Sequence, residues 1–153
     1  MKDLLVMQTM ESFDNNPEMS LLSSVQDLPQ KEAEWKLNDS TWTIEEILYH
    51  VASSKLYYCK QGFSKWNEPE EKPFGNITAM IYLNRKAHNH LVECLRGCTE
   101  EDLLKPQPTR SHGKTAANFF WIMIMHDINH GAQIKTIRRA YGSFSDYYPI
   151  RHE

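Results

Sequence analysis

Phe119-Phe120-Trp121-Ile122-Met123-Ile124-Met125-His126-Asp127-Ile128-Asn129-His130 is an apolar stretch that ends by acquiring two imidazoles four residues apart. Phe119, Met123, His126, His130, Ile134 and Ile137 recur at spacings of three and four, so the stretch reads as the core stripe of a long helix. That helix is expected to start after a cap at Thr115 and to run to Tyr141. Gly142 then favours a left-handed stop, and Arg138 and Arg139 complement the carbonyl end of the dipole. Positions i and i+4 project from one face a turn apart, so His126 and His130 can turn toward a single point.

A second helix offers a third imidazole. Thr43-Ile44-Glu45-Glu46 supplies a hydroxyl cap and a carboxylate three residues on, the reciprocal pair that satisfies orphan amides. The helix should run to about Gln61 and close at Gly62, with Ile47, His50, Val51, Ser54, Tyr57 and Tyr58 on or near one stripe. Glu46, four residues before His50, reads as the cap partner rather than as support for that ring. Before it, Leu4, Leu5, Met7, Met10 and Phe13 approach a helical period, broken at Asp14-Asn15-Asn16-Pro17 and resumed by Leu21, Leu22, Val25 and Leu28. After it, Pro69, Pro73 and Gly75 describe a loop from Phe63 to Asn76 that Trp66 and Phe74 pin to the bundle. Another helix from about Thr78 to Arg96 ends at Gly97, Thr99-Glu100-Glu101-Asp102 begins a short turn, and Pro106, Pro108 and Gly113 mark a second loop. No alternating strand pattern appears, so the expected fold is all-α, an up-and-down four-helix bundle with a long crossover loop.

The 153 residues suit one domain, residues 1–153, with a single core. A net charge of -3 gives no electrostatic footprint for nucleic acid. No apolar run reaches membrane-spanning length, and the opening Met1-Lys2-Asp3-Leu4 has no signal-peptide core, so a cytoplasmic location with no membrane partner is expected. Cys59, Cys94 and Cys98 are odd in number and lack paired-knuckle spacing. They read as reduced, packed thiols, with a shared metal or a bridge between Cys94 and Cys98 as the alternative.

Three neutral imidazoles, His50, His126 and His130, converging inside a bundle would leave a divalent ion with an open coordination position. Imidazole alone does not choose among zinc, nickel, copper and iron. The competing reading discards the ion and makes the rings a hydrogen-bonded core network. His88 and His90, two apart and unable to share a helix face, are expected in solvent, as are His112 in a polar loop and His152 near the end of the sequence. Asp127 points about 100° round the helix from His126 and is expected at a surface or inter-helix contact. Tyr57, Asn129 and Gln133 are candidate polar groups of a pocket, with core packing or exposure as their alternative roles.

The segments Trp42-Thr43-Ile44-Glu45-Glu46-Ile47-Leu48-Tyr49-His50-Val51-Ala52 and His126-Asp127-Ile128-Asn129-His130-Gly131-Ala132-Gln133-Ile134 resemble the signature blocks of the DinB-like superfamily, which includes YfiT-like proteins. The resemblance covers nearly the whole chain. It implies a metal-binding four-helix bundle with His50, His126 and His130 as the ligands, and zinc or nickel as the ion. Similar proteins include bacillithiol and mycothiol transferases and a thiol-dependent isomerase. The implied function is therefore a metal-dependent enzyme that activates water or a low-molecular-weight thiol such as bacillithiol, as a thiol S-transferase or a hydrolase. The alternative is a non-catalytic, stress-related metal-binding or interaction protein. The resemblance also implies a small-molecule substrate and a homodimer, for which Tyr141, Phe144, Tyr147 and Tyr148 are a candidate surface, with folding back over the bundle end as their alternative role.

Overall fold

The computed structural model describes residues 1–63, 71–106 and 114–143, the side chain of residue 61 aside. Seven helices lie among them: α1 (Lys2–Met10), α2 (Leu21–Ser24), α3 (Gln30–Ala33), α4 (Ile44–Gly62), α5 (Ile77–Gly97), α6 (Glu100–Leu104) and α7 (Ala116–Tyr141). A π-helical turn, Glu11–Asn15, extends α1 up to the break before Pro17. Helix α1 with this turn, α4, α5 and α7 make the up-and-down four-helix bundle, and no strand forms among the described residues. None of the described helices is long and apolar enough to cross a membrane. Trp66, His112, Phe144, Tyr147, Tyr148 and His152 lie outside the described residues.

The expected caps are present. Thr43 accepts from the Glu46 amide while Glu46 Oε2 accepts from the Thr43 amide at 2.7 Å, and that backbone bond holds the Glu46 carboxyl below its usual range. Thr115 and Thr99 cap α7 and α6 in the same reciprocal way, and Gly142 ends α7 at φ 91°, in the left-handed region. Phe74 does pin its loop, with its ring 5.1 Å from that of Tyr49.

The apolar core has two parts. One gathers Leu21, Ile44, Leu48, Met80 and Ile134, and the other gathers Leu91, Leu95, Leu103, Phe119 and Phe120. A transverse layer carries one residue from each bundle helix: Asp127 from α7, Lys55 from α4, Phe13 from the turn after α1 and His88 from α5. Lys55 Nζ lies 2.7 Å from both Asp127 carboxylate oxygens and 4.5 Å from the centre of the Phe13 ring. Phe13 in turn stacks on His88 with ring centres 3.9 Å apart. Both charged side chains are fully enclosed, with Lys55 0% and Asp127 1% exposed.

His88 was expected in solvent, and the structure corrects this: it is 5% exposed. Its i−8, i−5, i−1 and i+3 neighbours Met80, Leu83, Ala87 and Leu91 are buried, so it falls on the inner face of α5. Burial, reinforced by the charges of Lys55 and Arg85, pushes its pKa down to about 2. The unfolded chain therefore takes up this proton near the ordinary value of 6.5 while the folded chain resists it. The stability it contributes is complete above pH 6.5 and is lost as pH falls toward 2. Urea unfolding at pH 6, 5 and 4 should show wild type losing about 1.4 kcal/mol per pH unit relative to His88→Leu. A pH-independent difference would mean that His88 titrates normally.

Arg138 also departs from expectation. Rather than only facing the helix dipole it is buried, donating from Nε to Glu32 Oε1 at 2.8 Å and from Nη1 to the Ser24 and Gln26 carbonyls. It thereby ties the α2–α3 segment to the end of α7. Nearer the histidines, the same segment packs on Gly131, where a Cβ would lie 3.5 Å from Leu21 Cα and 3.6 Å from the Ser20 carbonyl oxygen. Alanine would fit at that spacing, so the close approach excludes only larger side chains.

Candidate metal centre

Helices α4 and α7 bring the three sequence-identified histidines together. His126 Nε2 lies 3.0 Å from His50 Nε2, and the ring centres are 4.9 Å apart for His50 and His126, 5.1 Å for His50 and His130, and 4.4 Å for His126 and His130. One ligand nitrogen from each lies within 4.8 Å of the other two. Nitrogens bound at about 2.0–2.1 Å around a tetrahedral ion stand about 3.3 Å apart, so the observed spacing requires only small ring movements.

The electrostatics keep the rings neutral. Desolvation lowers the pKa of all three, with His126 pushed down to about 3 by burial first and then by His130, His50 and Lys55. Gln133 Oε1 lies 2.7 Å from His130 Nδ1. An amide oxygen only accepts, so Nδ1 carries the proton and Nε2 keeps its lone pair. His126 Nδ1 is buried without a hydrogen-bond partner. Mutual hydrogen bonding of the rings thus leaves this nitrogen unmet, at about 1–3 kcal/mol. The cluster is a local cost to stability, as functional sites commonly are. The donor set, three neutral imidazoles with no fourth His, Cys, Asp or Glu in the cluster among the described residues, fits a divalent ion with an open position.

The profile of the DinB superfamily matches residues 15–134, a span that takes in all three histidines. This chain belongs to the DinB superfamily. No curated protein matches it, and no solved structure does.

In this DinB-superfamily chain the histidines lie at the flank of the α4–α7 contact rather than at its centre. His50 and His126 are half-buried and His130 is 7% exposed, while the centre of the contact belongs to Lys55 and Asp127. Trp42, just before the α4 cap, places its ring 5.2 Å from His50 and forms an exposed wall beside it. Of the candidate polar groups, Gln133 touches the site, whereas Asn129 is exposed and Tyr57 turns outward to pair with the Tyr58 ring. Asp127 makes an inter-helix contact, as expected, through Lys55.

Sequence reasoning missed Lys55. The signal was present, because Ile47, Val51, Lys55 and Cys59 follow one another at intervals of four and are all buried. His90 is corrected too: it is half-buried, with Nε2 3.8 Å from Cys94 Sγ, and not simply solvated. None of the three cysteines is in a disulfide, with Cys59 and Cys98 buried and Cys94 half-buried.

Proposed function

We propose that this protein is a metal-dependent enzyme in which His50, His126 and His130 hold zinc or nickel, acting on a small electrophile as a thiol S-transferase or a hydrolase. The observation that carries this reading is the convergence of three neutral imidazoles from two helices with no fourth ligating side chain among the described residues. A fourth protein ligand is the mark of a structural site, and a vacant position that of a catalytic one. When bound, the ion supplies Lewis acidity that lowers the pKa of a water or a low-molecular-weight thiol such as bacillithiol.

The protein's own residues supply the rest. Burial keeps the three lone pairs unprotonated at neutral pH, Gln133 fixes the His130 ring by holding its Nδ1 proton, and Trp42 offers an apolar face beside His50. Small substrates fit the half-open setting better than polymers do, and we place the reaction in the cytoplasm, with the protein as a homodimer.

Metal analysis of untagged protein, paired with thiol-consumption assays using several small thiols and electrophiles, tests the proposal. Metal content should fall by one ion per chain in His126→Ala, and turnover should require zinc or nickel. Metal content unchanged by that substitution would refute the ligand assignment, and ion-independent turnover would refute the mechanism.

A further inference from the structure

One helical turn beyond Lys55, α4 presents a second group of ligand atoms. Cys59, fully buried, brings its thiol near that of Cys94 on α5. His90 stands one turn before Cys94 on the same helix, with its Nε2 3.8 Å from Cys94 Sγ. One ligand atom from each of the three lies within 4.8 Å of the others. We propose that Cys59, His90 and Cys94 form a second metal site, separate from the three-imidazole centre and selective for a thiophilic divalent cation, zinc above all.

Spacing, softness, charge and access all support it. In a tetrahedral zinc site a thiolate sulfur and an imidazole nitrogen stand about 3.6 Å apart, given bond lengths of about 2.3 and 2.0–2.1 Å. The observed 3.8 Å is close to that. Two sulfur donors select zinc over calcium, magnesium and manganese, which prefer oxygen. Binding is balanced in charge: each thiol gives up its proton to solvent, and the two thiolates cancel the dication. That neutrality matters because the Lys55 ammonium stands near Cys59 and would repel a net positive centre.

Cys98, which by spacing alone was the other candidate partner for Cys94, donates instead to the Cys94 carbonyl oxygen at 3.3 Å. His90 and Cys94 border a cleft of about 550 Å³ that also touches Phe63, Cys98, Asp102 and Lys105, while Cys59 lies buried behind them. That cleft provides an entry path and room at the fourth position. Because the ligands come from α4 and α5, an ion here would cross-link those two helices, whereas the three-imidazole centre joins α4 to α7.

Cobalt(II) distinguishes the two sites, since thiolate ligation gives a near-ultraviolet charge-transfer absorption that imidazole ligation does not. Fully reduced, metal-free protein titrated anaerobically with Co²⁺ should develop this band with one ion per chain. The band should persist in His126→Ala and in Cys98→Ser, disappear in Cys94→Ser, and require roughly tenfold more Co²⁺ or greater in His90→Ala. Cys94 is half-buried, so its serine variant should fold, which circular dichroism checks. Cys59→Ala provides the second thiol test. Absence of the band in reduced wild type, or its survival in folded Cys94→Ser, would overturn the proposal. Loss of the band in Cys98→Ser would overturn the assignment of Cys59.

Discussion

Asp127→Ala is expected to lower the unfolding free energy by about 3–5 kcal/mol, enough to unfold a marginal domain near body temperature. The cause is what remains behind. Lys55 is fully enclosed, with its ammonium 2.7 Å from the carboxylate, and truncating Asp127 strands that charge against Phe13. Burial pushes the Lys55 pKa down and the Asp127 pKa up, each shift resisted by attraction to the partner. Removing either partner therefore leaves burial unopposed, and Lys55→Met should be nearly as damaging as Asp127→Ala. The double variant Lys55→Met, Asp127→Leu should recover most of the loss, because replacing both members removes desolvation along with attraction. Chemical unfolding of the four proteins measures this directly. If the double variant is as unstable as the sum of the singles, the pair contributes more than it costs and this account of the layer is wrong.

Saturating zinc or nickel is expected to stabilise wild type by about 4 kcal/mol at a thousandfold excess over the dissociation constant. For a chain of this size that corresponds to a rise in melting temperature of roughly 8–16 °C. The His126→Ala protein should lose the part of this shift that comes from the three imidazoles, while its metal-free form melts close to metal-free wild type. The substitution removes one ligand but also removes a buried ring nitrogen that has no partner. The pH dependence has a defined sign. Protons compete with the ion only below the metal-free pKa values, which burial lowers for His50 and His130 and brings to about 3 for His126. Stabilisation by metal should therefore persist below pH 6.5, where an exposed imidazole is already half protonated. A melting shift in His126→Ala equal to that of wild type would place the bound ion elsewhere.

Much of the bundle could be read from residue order because its signals are local. The Thr43 cap, the Gly142 stop and the apolar spacing between them depend on neighbours within a turn or two. The convergence of His50 with His126 and His130 could also be read, since each occupies a helix face that also carries apolar residues. The central layer was harder. Lys55 lies on the buried line of its helix, yet lysine is rarely enclosed, and the position of Asp127 about 100° round from His126 indicates a surface or inter-helix contact without naming the partner. Each makes sense only beside the other, which lies 72 residues away. His88 falls at helical spacing from the buried Met80, Ala87 and Leu91, but its two-residue offset from His90 pointed to solvent, and its stacking partner Phe13 lies far away in the chain. Cys59 and Cys94 belong to different helices, so intervals along one helix offer only Cys98 as an alternative neighbour for Cys94, beside the reading of three packed thiols.

The layer of Asp127, Lys55, Phe13 and His88 also bears on how the helices find their alignment. Either end of the bundle is lined with interchangeable aliphatic and aromatic side chains, and slipping one helix past another by a turn, about 5.4 Å, would still bury greasy surface. It would not still seat an ammonium against a carboxylate, nor a ring flat on a ring. With one member contributed by each helix, the layer works as a set of index marks that coincide at a single height. Much of the discrimination against misthreaded packings thus falls to four side chains at the midsection, and the histidines sit beside that fixed reference.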